Sequence, residues 1–241
     1  MPIPSLEETL QRLATSFTVR DIMIPAENLI CAPREKDAPT VSAENPDLNV
    51  IPIKPHKQIR GYYERDSGET KLITPHDLIS DGTSILDLVK ILAKQGFYFV
   101  LAQCQIAGYV HFSDLNNRVV KLTIYTIIEA LESHALTSLG SPIDEEFLRK
   151  SLGRGRFERI KFLFEKARRK DANRSWADFL NIEDILWLAV KSGKIRLPEH
   201  MIEDIGRVRN KVAHQVRPLI NEQQDAALLE RVIRQCCQAL G

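Results

Sequence analysis

The chain of 241 residues is long enough for one large domain or two modest ones, and 44% of its residues are hydrophobic and 27% charged. This composition excludes wholesale disorder, and its apolar runs are far too short to span a bilayer. The net charge of +1 hides two halves of opposite sign. Residues 1–116 carry 11 basic and 15 acidic side chains (−4), whereas the remaining residues carry 22 basic and 17 acidic side chains (+5).

The amino terminus and the cysteines favour a cytoplasmic protein. The first ten residues contain two glutamates, where a secretory signal carries basic residues. Four cysteines lie in apolar stretches without metal-ligand spacing: Cys31, Cys104, Cys236 and Cys237. We therefore expect buried thiols in a reducing compartment, no metal site and no membrane partner.

Residues 1–116 predict an α/β domain, because prolines separate short apolar runs. These runs predict five strands, at Asn49–Ile53, Gly61–Tyr63, Lys71–Ile73, Tyr98–Leu101 and Ala107–Phe112. Between the third and fourth strands, apolar residues at helical spacing predict a helix over Ser84–Gln95. Thr83 or Ser84 is expected to be its N-cap.

Residues 117–241 predict an all-α bundle of four to five helices, so the whole chain is expected to be α+β. The first predicted helix carries a stripe of apolar residues from Val119 to Leu131, and the last one carries a stripe from Leu228 to Leu240. Between them, helices are predicted over Phe147–Lys170, Asn181–Lys191 and Met201–Val216.

A basic stripe lies within this second half. The 26 residues from Arg149 to Arg174 contain eleven basic and three acidic side chains, a balance of +8. Such a stripe can attract a polyanion by counterion release, or it can be a solvated helical face. Under the first interpretation, Arg154 and Arg156 are candidate RNA-binding residues.

Two stretches of the first half share a pattern in which a strand ends in a polar residue and an aspartate follows three positions later. The pairs are Thr74 with Asp77 and His111 with Asp114. A carboxylate at a strand-to-helix turn can accept hydrogen bonds from both ribose hydroxyls, and a helix N-terminus can hold a phosphate. The pattern therefore predicts nucleotide binding, although both aspartates can instead cap the helices that follow them.

Residues 17–116 resemble the paired repeat called the CBS domain. The resemblance rests on the entry segment Thr18–Met23 and on the Gly-x-Val-x-x-x-Asp-Leu segment Gly108–Leu115. It implies that Thr74 and Asp77 serve one nucleotide cleft and that His111 and Asp114 serve the other. The implied ligand is a regulatory adenine nucleotide (AMP, ADP or ATP) or S-adenosylmethionine, and no cofactor is required.

The segment Arg207–His214 holds the most chemically distinctive side chains of the second half. At 100° per residue, Glu203, Arg207, Asn210, His214 and Arg217 share one face of the predicted helix. Arg209 flanks this row, and we expect it either to reach the same space or to pair with Glu203 or Asp204. Arg207 and Arg217 complete the set of candidate RNA-binding residues.

The spacing Arg209-Asn210-x-x-x-His214 in a helical bundle resembles the HEPN superfamily, many members of which are metal-independent ribonucleases. The resemblance implies that His214 is a general acid or base, that Arg209 stabilises phosphate charge, and that Asn210 orients the histidine or the phosphate. Glu129 and Glu132 on the first bundle helix could also approach His214.

Both resemblances imply a homodimer, in which two copies of the motif line one cleft. The leading hypothesis is therefore a nucleotide-regulated endoribonuclease that cuts RNA by 2′-hydroxyl attack. The alternative is a non-catalytic adenine-nucleotide sensor or scaffold, whose helical domain only dimerises or binds RNA or another partner.

Overall fold

The computed structural model describes residues 16–171, 173–214 and 216–240. The chain divides into two compact units. The N-terminal unit comprises Thr15–Val119 and Ile220–Ala227, and the helical unit comprises Val120–Leu219 and Leu228–Gly241. Every strand in the described ranges lies in the N-terminal unit, so the predicted α+β fold class is confirmed.

Seven strands and two helices form the N-terminal unit as far as it is described. The strands are β1 (Ile24–Pro25), β2 (Val50–Ile53), β3 (Gly61–Glu64), β4 (Glu69–Leu72), β5 (Leu78–Ser80), β6 (Phe97–Ala102) and β7 (Gln105–His111). Helix α1 (Ala38–Glu44) precedes β2, and helix α2 (Ile85–Leu92) lies between β5 and β6. The five predicted strands are present with shifted ends, whereas the shorter β1 and β5 were not predicted.

The strands form two sheets that contain the same motif twice. One sheet has the order β1-β7-β6-β5 and the other the order β2-β3-β4. In the first, β5 pairs in parallel with β6 across α2, and β6 then pairs antiparallel with β7. In the second, Ala32 forms a parallel bridge with Ile53 across α1, and β2 then pairs antiparallel with β3. The N-terminal unit thus contains this arrangement twice, although the first copy has an isolated bridge at Ala32 in place of its first strand and an additional strand, β4, at its end.

The helix α2 begins where its sequence predicts. The Ser84 side chain accepts a hydrogen bond from the backbone N–H of Asp87 at 3.1 Å, so Ser84 is the N-cap. The apolar face of α2 is buried, through Ile85, Leu88, Val89 and Leu92. This face fixes the crossover between the parallel strands β5 and β6.

Helices make up the second unit. They are α3 (Arg118–Leu139), α4 (Glu145–Ser151), α5 (Arg154–Arg168), α6 (Ile182–Lys191), α7 (Glu199–Ala213) and α8 (Gln223–Leu240). The single helix predicted over Phe147–Lys170 is wrong, because Leu152 and Gly153 take extended backbone angles (ψ 142° and 147°) between α4 and α5.

The helix predicted over Met201–Val216 is also too long. Helix α7 ends at Ala213, and His214 has φ −102° and ψ 106°. The following segment is held instead by two lysines, because Lys121 Nζ donates to the carbonyl of Arg217 at 2.6 Å and Lys211 Nζ donates to the carbonyl of Leu219 at 3.1 Å. These contacts satisfy two carbonyl groups of the segment that follows the helix.

Burial of the cysteines differs from the sequence expectation. Cys236 is buried and Cys31 is half-buried, but Cys104 and Cys237 are exposed. Among the helices of the described ranges, none combines the length and the apolar character needed to cross a membrane.

Candidate functional sites

The first predicted nucleotide-binding pair forms a closed turn between β4 and β5. The Asp77 Oδ2 atom accepts hydrogen bonds from the backbone N–H and the hydroxyl of Thr74, both at 2.8 Å. The Asp77 backbone N–H donates to the carbonyl of Thr74 at 3.0 Å. Strand β5 follows directly, so the expected helix after Asp77 is wrong, and no helix N-terminus is available there for a phosphate.

The second pair forms the same turn at the end of β7. The Asp114 Oδ2 atom accepts the backbone N–H of His111 at 2.7 Å, and the His111 Nδ1 atom lies 2.8 Å from the Ser113 hydroxyl. Burial raises the pKa of Asp114, although the His111 backbone N–H opposes this shift, and burial lowers the pKa of His111. His111 is therefore favoured in its neutral form, which both donates and accepts hydrogen bonds.

The two turns share one arrangement. In each, Oδ2 of the aspartate closes the turn, and no hydrogen bond within the described residues engages Oδ1. Both carboxylates thus close their own turns through one oxygen and keep a second oxygen for another donor. Asp77 is 9% exposed.

A groove of about 560 Å³ lies elsewhere in the N-terminal unit. Its lining includes Glu27, Lys54, Lys57, Gln58 and Gln105, but none of the four predicted nucleotide-binding residues. Two of its flanking segments have left-handed backbone, at His56–Lys57 (φ 50° and 70°) and Gln103–Cys104 (φ 48° and 65°). No periodicity or motif in the sequence indicates this groove, because its walls come from separate turns.

The predicted catalytic residues lie at the end of α7. Asn210 is exposed in the last turn, and His214 is exposed just beyond it. The single helical row predicted from Glu203 to Arg217 is wrong for His214 and Arg217, because both follow the end of the helix. The side chain of Arg209 is only 35% exposed, and its Nη2 lies 3.8 Å from Glu129 Oε1.

Arg209 belongs to a mixed polar cluster with residues of α3. Three atoms of this cluster are buried and have no hydrogen-bond partner among the described residues: Arg209 Nε, Glu129 Oε1 and Glu132 Oε2. A hydrogen bond to Glu129 raises the pKa of Tyr125, and burial raises the pKa of Glu132, with Glu129 adding to that shift and Arg209 opposing it. The expected pairing of Arg209 with Glu203 or Asp204 is wrong, since Arg207 takes both, each at 3.4 Å.

The predicted RNA-binding arginines fall into two groups. Arg156 pairs through its side chain with the carboxylate of Asp184, which is 7% exposed, and so joins α5 to α6. Arg207 is paired with carboxylates of its own helix. Arg154 and Arg217 are exposed and make no ion pair within the described ranges. We therefore leave Arg156 out of the proposed RNA-binding residues.

Comparison with known proteins gives no family by sequence: no protein-family model and no curated protein matches the chain. Among solved structures, the CBS domain of a bacterial CNNM/CorC-family Mg²⁺ transporter in complex with ATP aligns at 16% identity and a TM-score of 0.37, covering 48% of this chain and 94% of that chain. A second structure of a CBS domain from this transporter family aligns at 18% identity and a TM-score of 0.37, covering 49% of this chain and 86% of that chain.

Proposed function

We propose that the protein is an adenine-nucleotide sensor, whose N-terminal unit binds the nucleotide at the Thr74–Asp77 and His111–Asp114 turns. The observation that carries this proposal is the repetition of one turn. After β4 and again at the end of β7, a polar residue is followed three positions later by an aspartate that closes the turn with one oxygen.

The remaining carboxylate oxygen suits a ribose. Vicinal hydroxyls donate well to a carboxylate, and a half-desolvated carboxylate gains more from such donors than an exposed one does. Burial already disfavours the charged form of Asp114 and raises its pKa. Two ribose hydroxyls would supply the donors that burial removes.

Isothermal titration calorimetry with AMP, ADP, ATP and S-adenosylmethionine tests this proposal. We expect at least one of the four ligands to bind, and we expect Asp77→Asn or Asp114→Asn to weaken binding by about 10- to 100-fold, the usual loss of a hydrogen bond to a charged group. Asparagine keeps an oxygen that can close the turn, so the fold is preserved.

The matched control is Asp87→Asn, which replaces an exposed aspartate of α2 in the same unit. This variant should bind like the wild type. Absence of heat with all four ligands, or unchanged affinity in both turn variants, would contradict the proposal.

A second proposal is a metal-independent endoribonuclease with Arg209, Asn210 and His214 as its catalytic residues. One observation favours it: Asn210, in the last turn of α7, and His214, just beyond that turn, are both exposed, and Arg209 lies next to Asn210 in the chain. In this proposal the protein is a homodimer, RNA is the substrate, and Arg154, Arg207 and Arg217 contact its phosphates.

Incubation with single-stranded RNA in the presence of a chelator tests the second proposal. His214→Ala should abolish cleavage, whereas His200→Ala, which replaces an exposed histidine in the first turn of α7, should retain it. Cleavage that survives His214→Ala, or a monomer in sedimentation equilibrium, would reject this function without touching the nucleotide proposal.

A further inference from the structure

The solvent-facing side of helix α5 carries an exposed aromatic side chain as well as cations. Its inner face is buried through Phe157, Ile160 and Phe164, which belong to a core cluster of the helical unit. On the opposite side, Arg159, Phe162 and Lys166 of α5 (i, i+3 and i+7) are exposed, and so is Arg169 (i+10), which follows the last residue of α5 with helical backbone angles. At 1.5 Å per residue, this row extends about 15 Å along the helix.

An aromatic ring stands in the middle of the row. Phe162 is 65% exposed, and the adjacent Leu163 is 40% exposed. Phe162 and Leu163 thus form a small exposed apolar patch, and the aromatic ring offers a partner a large area to cover.

Four exposed cations near Phe162 lack an ion-pair partner among the described residues. Arg159, Lys166, Arg169 and Lys170 are exposed and form no ion pair within the described ranges. Neighbouring cations of the same stripe differ, because Lys161 pairs with Glu145 at 2.9 Å and Arg174 pairs with Asp171 at 3.5 Å. Glu158 and Glu165, at i−4 and i+3 from Phe162, are also exposed and border the same face, but neither forms an ion pair with these cations within the described ranges.

We propose that this face, formed by Arg159, Phe162, Leu163, Lys166, Arg169 and Lys170, binds single-stranded nucleic acid. Bases stack on aromatic rings, and a groove or row of cations follows the phosphates, which is how sequence-independent single-strand binding works. An unpaired base would stack on Phe162, and Arg159, Lys166 and Arg169 would contact the flanking phosphates.

A membrane surface fits this face less well. A helix that lies in the bilayer interface buries a broad apolar face among the lipids. The broad apolar face of α5 is already occupied by the protein core, and only Phe162 and Leu163 are left to insert. The proposal is independent of nucleotide sensing by the N-terminal unit and requires no cleavage.

Fluorescence anisotropy of the full chain with a labelled oligodeoxythymidylate of about 15 nucleotides tests the proposal, a length that covers one single-strand binding site. This strand has no 2′-hydroxyl, so cleavage by 2′-hydroxyl attack cannot interfere with the measurement. A matching 2′-O-methyl RNA compares the two kinds of strand, and phosphatidylserine vesicles test the membrane.

Phe162→Ala should weaken binding by about tenfold or more, the usual loss of one stacked base, and leave the salt dependence unchanged. Lys166→Gln should instead reduce the slope of log K against log salt by about 0.7. Both side chains are exposed, so neither change disturbs the core. Lys161→Gln, which removes an ion-paired lysine of the same helix, is the control and should bind like the wild type.

Wild-type affinity of Phe162→Ala for both strands would overturn the proposal. Binding to anionic vesicles without binding to either oligonucleotide would overturn it as well.

Discussion

Arg209 shares a half-buried cluster with two carboxylates, so the protein itself neutralises much of its charge. Its Nη2 lies 3.8 Å from Glu129 Oε1, and Glu132 lowers the local potential further. Helical spacing within α7 predicts the neighbours Glu203 and Asp204, but it cannot decide which arginine they pair with. That choice depends on α3, a helix about 80 residues earlier in the chain, which turns a carboxylate toward Arg209.

The same cluster predicts a pH-dependent effect of Glu132→Gln. Burial raises the pKa of Glu132, so the folded state holds the proton more tightly than the unfolded state does. Its stabilising contribution is therefore present below the unfolded pKa of about 4.3 and is lost as the pH rises through the folded pKa. Glutamine has no charge to lose.

At pH 7, Glu132→Gln should be more stable than the wild type by less than about 1 kcal/mol, since the side chain is only partly buried. The difference should vanish below about pH 4. Urea unfolding at the two pH values measures it, and Glu158→Gln, at an exposed position, is the control. A variant that is less stable than the wild type at pH 7 would show that the Arg209 pairing outweighs burial.

At the scale of elements, the spacing of apolar residues predicts where most helices and strands lie. It predicts their first and last residues poorly. The N-cap Ser84 is predictable because its partner Asp87 is three residues away. The end of α7 is not, because Lys121, from α3, holds the carbonyl of Arg217. The break between α4 and α5 has a local signal at Gly153, but apolar spacing continues through it. The three-residue strand β5 is too short to show an alternating pattern.

Strand pairing explains the glycine of the Gly108–Leu115 segment. Strand β1 pairs with β7 at Gly108, where a Cβ atom would lie 2.7 Å from the carbonyl oxygen of Ile24 and 2.8 Å from Met23 Sδ. Gly108→Ala must therefore push β1 away from the sheet. We expect it to lower the free energy of unfolding by about 1–3 kcal/mol, the usual cost of overpacking.

Chemical denaturation measures this loss. Gly82→Ala is the control, because the nearest atom to its added Cβ is Ser80 Oγ at 3.7 Å, an ordinary contact. Equal free energies of unfolding for Gly108→Ala and Gly82→Ala would contradict this prediction, because β1 would then have moved without a loss of stability.

At the scale of the whole molecule, the charge asymmetry of the sequence corresponds to two compact units. Composition and periodicity are enough to predict the fold class and the change from a mixed α/β pattern to a helical pattern near Asn116. They do not reveal that Ile220–Ala227 joins the N-terminal unit, where Asn116 Nδ2 donates to the carbonyl of Ile220 at 2.8 Å. A contact between residues 104 positions apart has no local signature.

The candidate sites are predictable to different degrees for the same reason. The two carboxylate-closed turns are local, so the motif and the geometry agree. The outer face of α5 can be predicted as a binding surface only when it is known which of the many basic residues already form ion pairs. Arg156 illustrates the difficulty, because its partner Asp184 is 28 residues away.

Hydrogen–deuterium exchange of the full chain, with and without AMP, ADP, ATP or S-adenosylmethionine, tests nucleotide sensing most directly. Added nucleotide should slow exchange of the amides at residues 74–77 and 111–114, because ligand bound at the two turns stabilises them against opening. The Asp77→Asn and Asp114→Asn double variant should lose this protection. Unchanged exchange at both turns with each of the four ligands at saturation, or protection confined to the helical unit, would contradict nucleotide sensing.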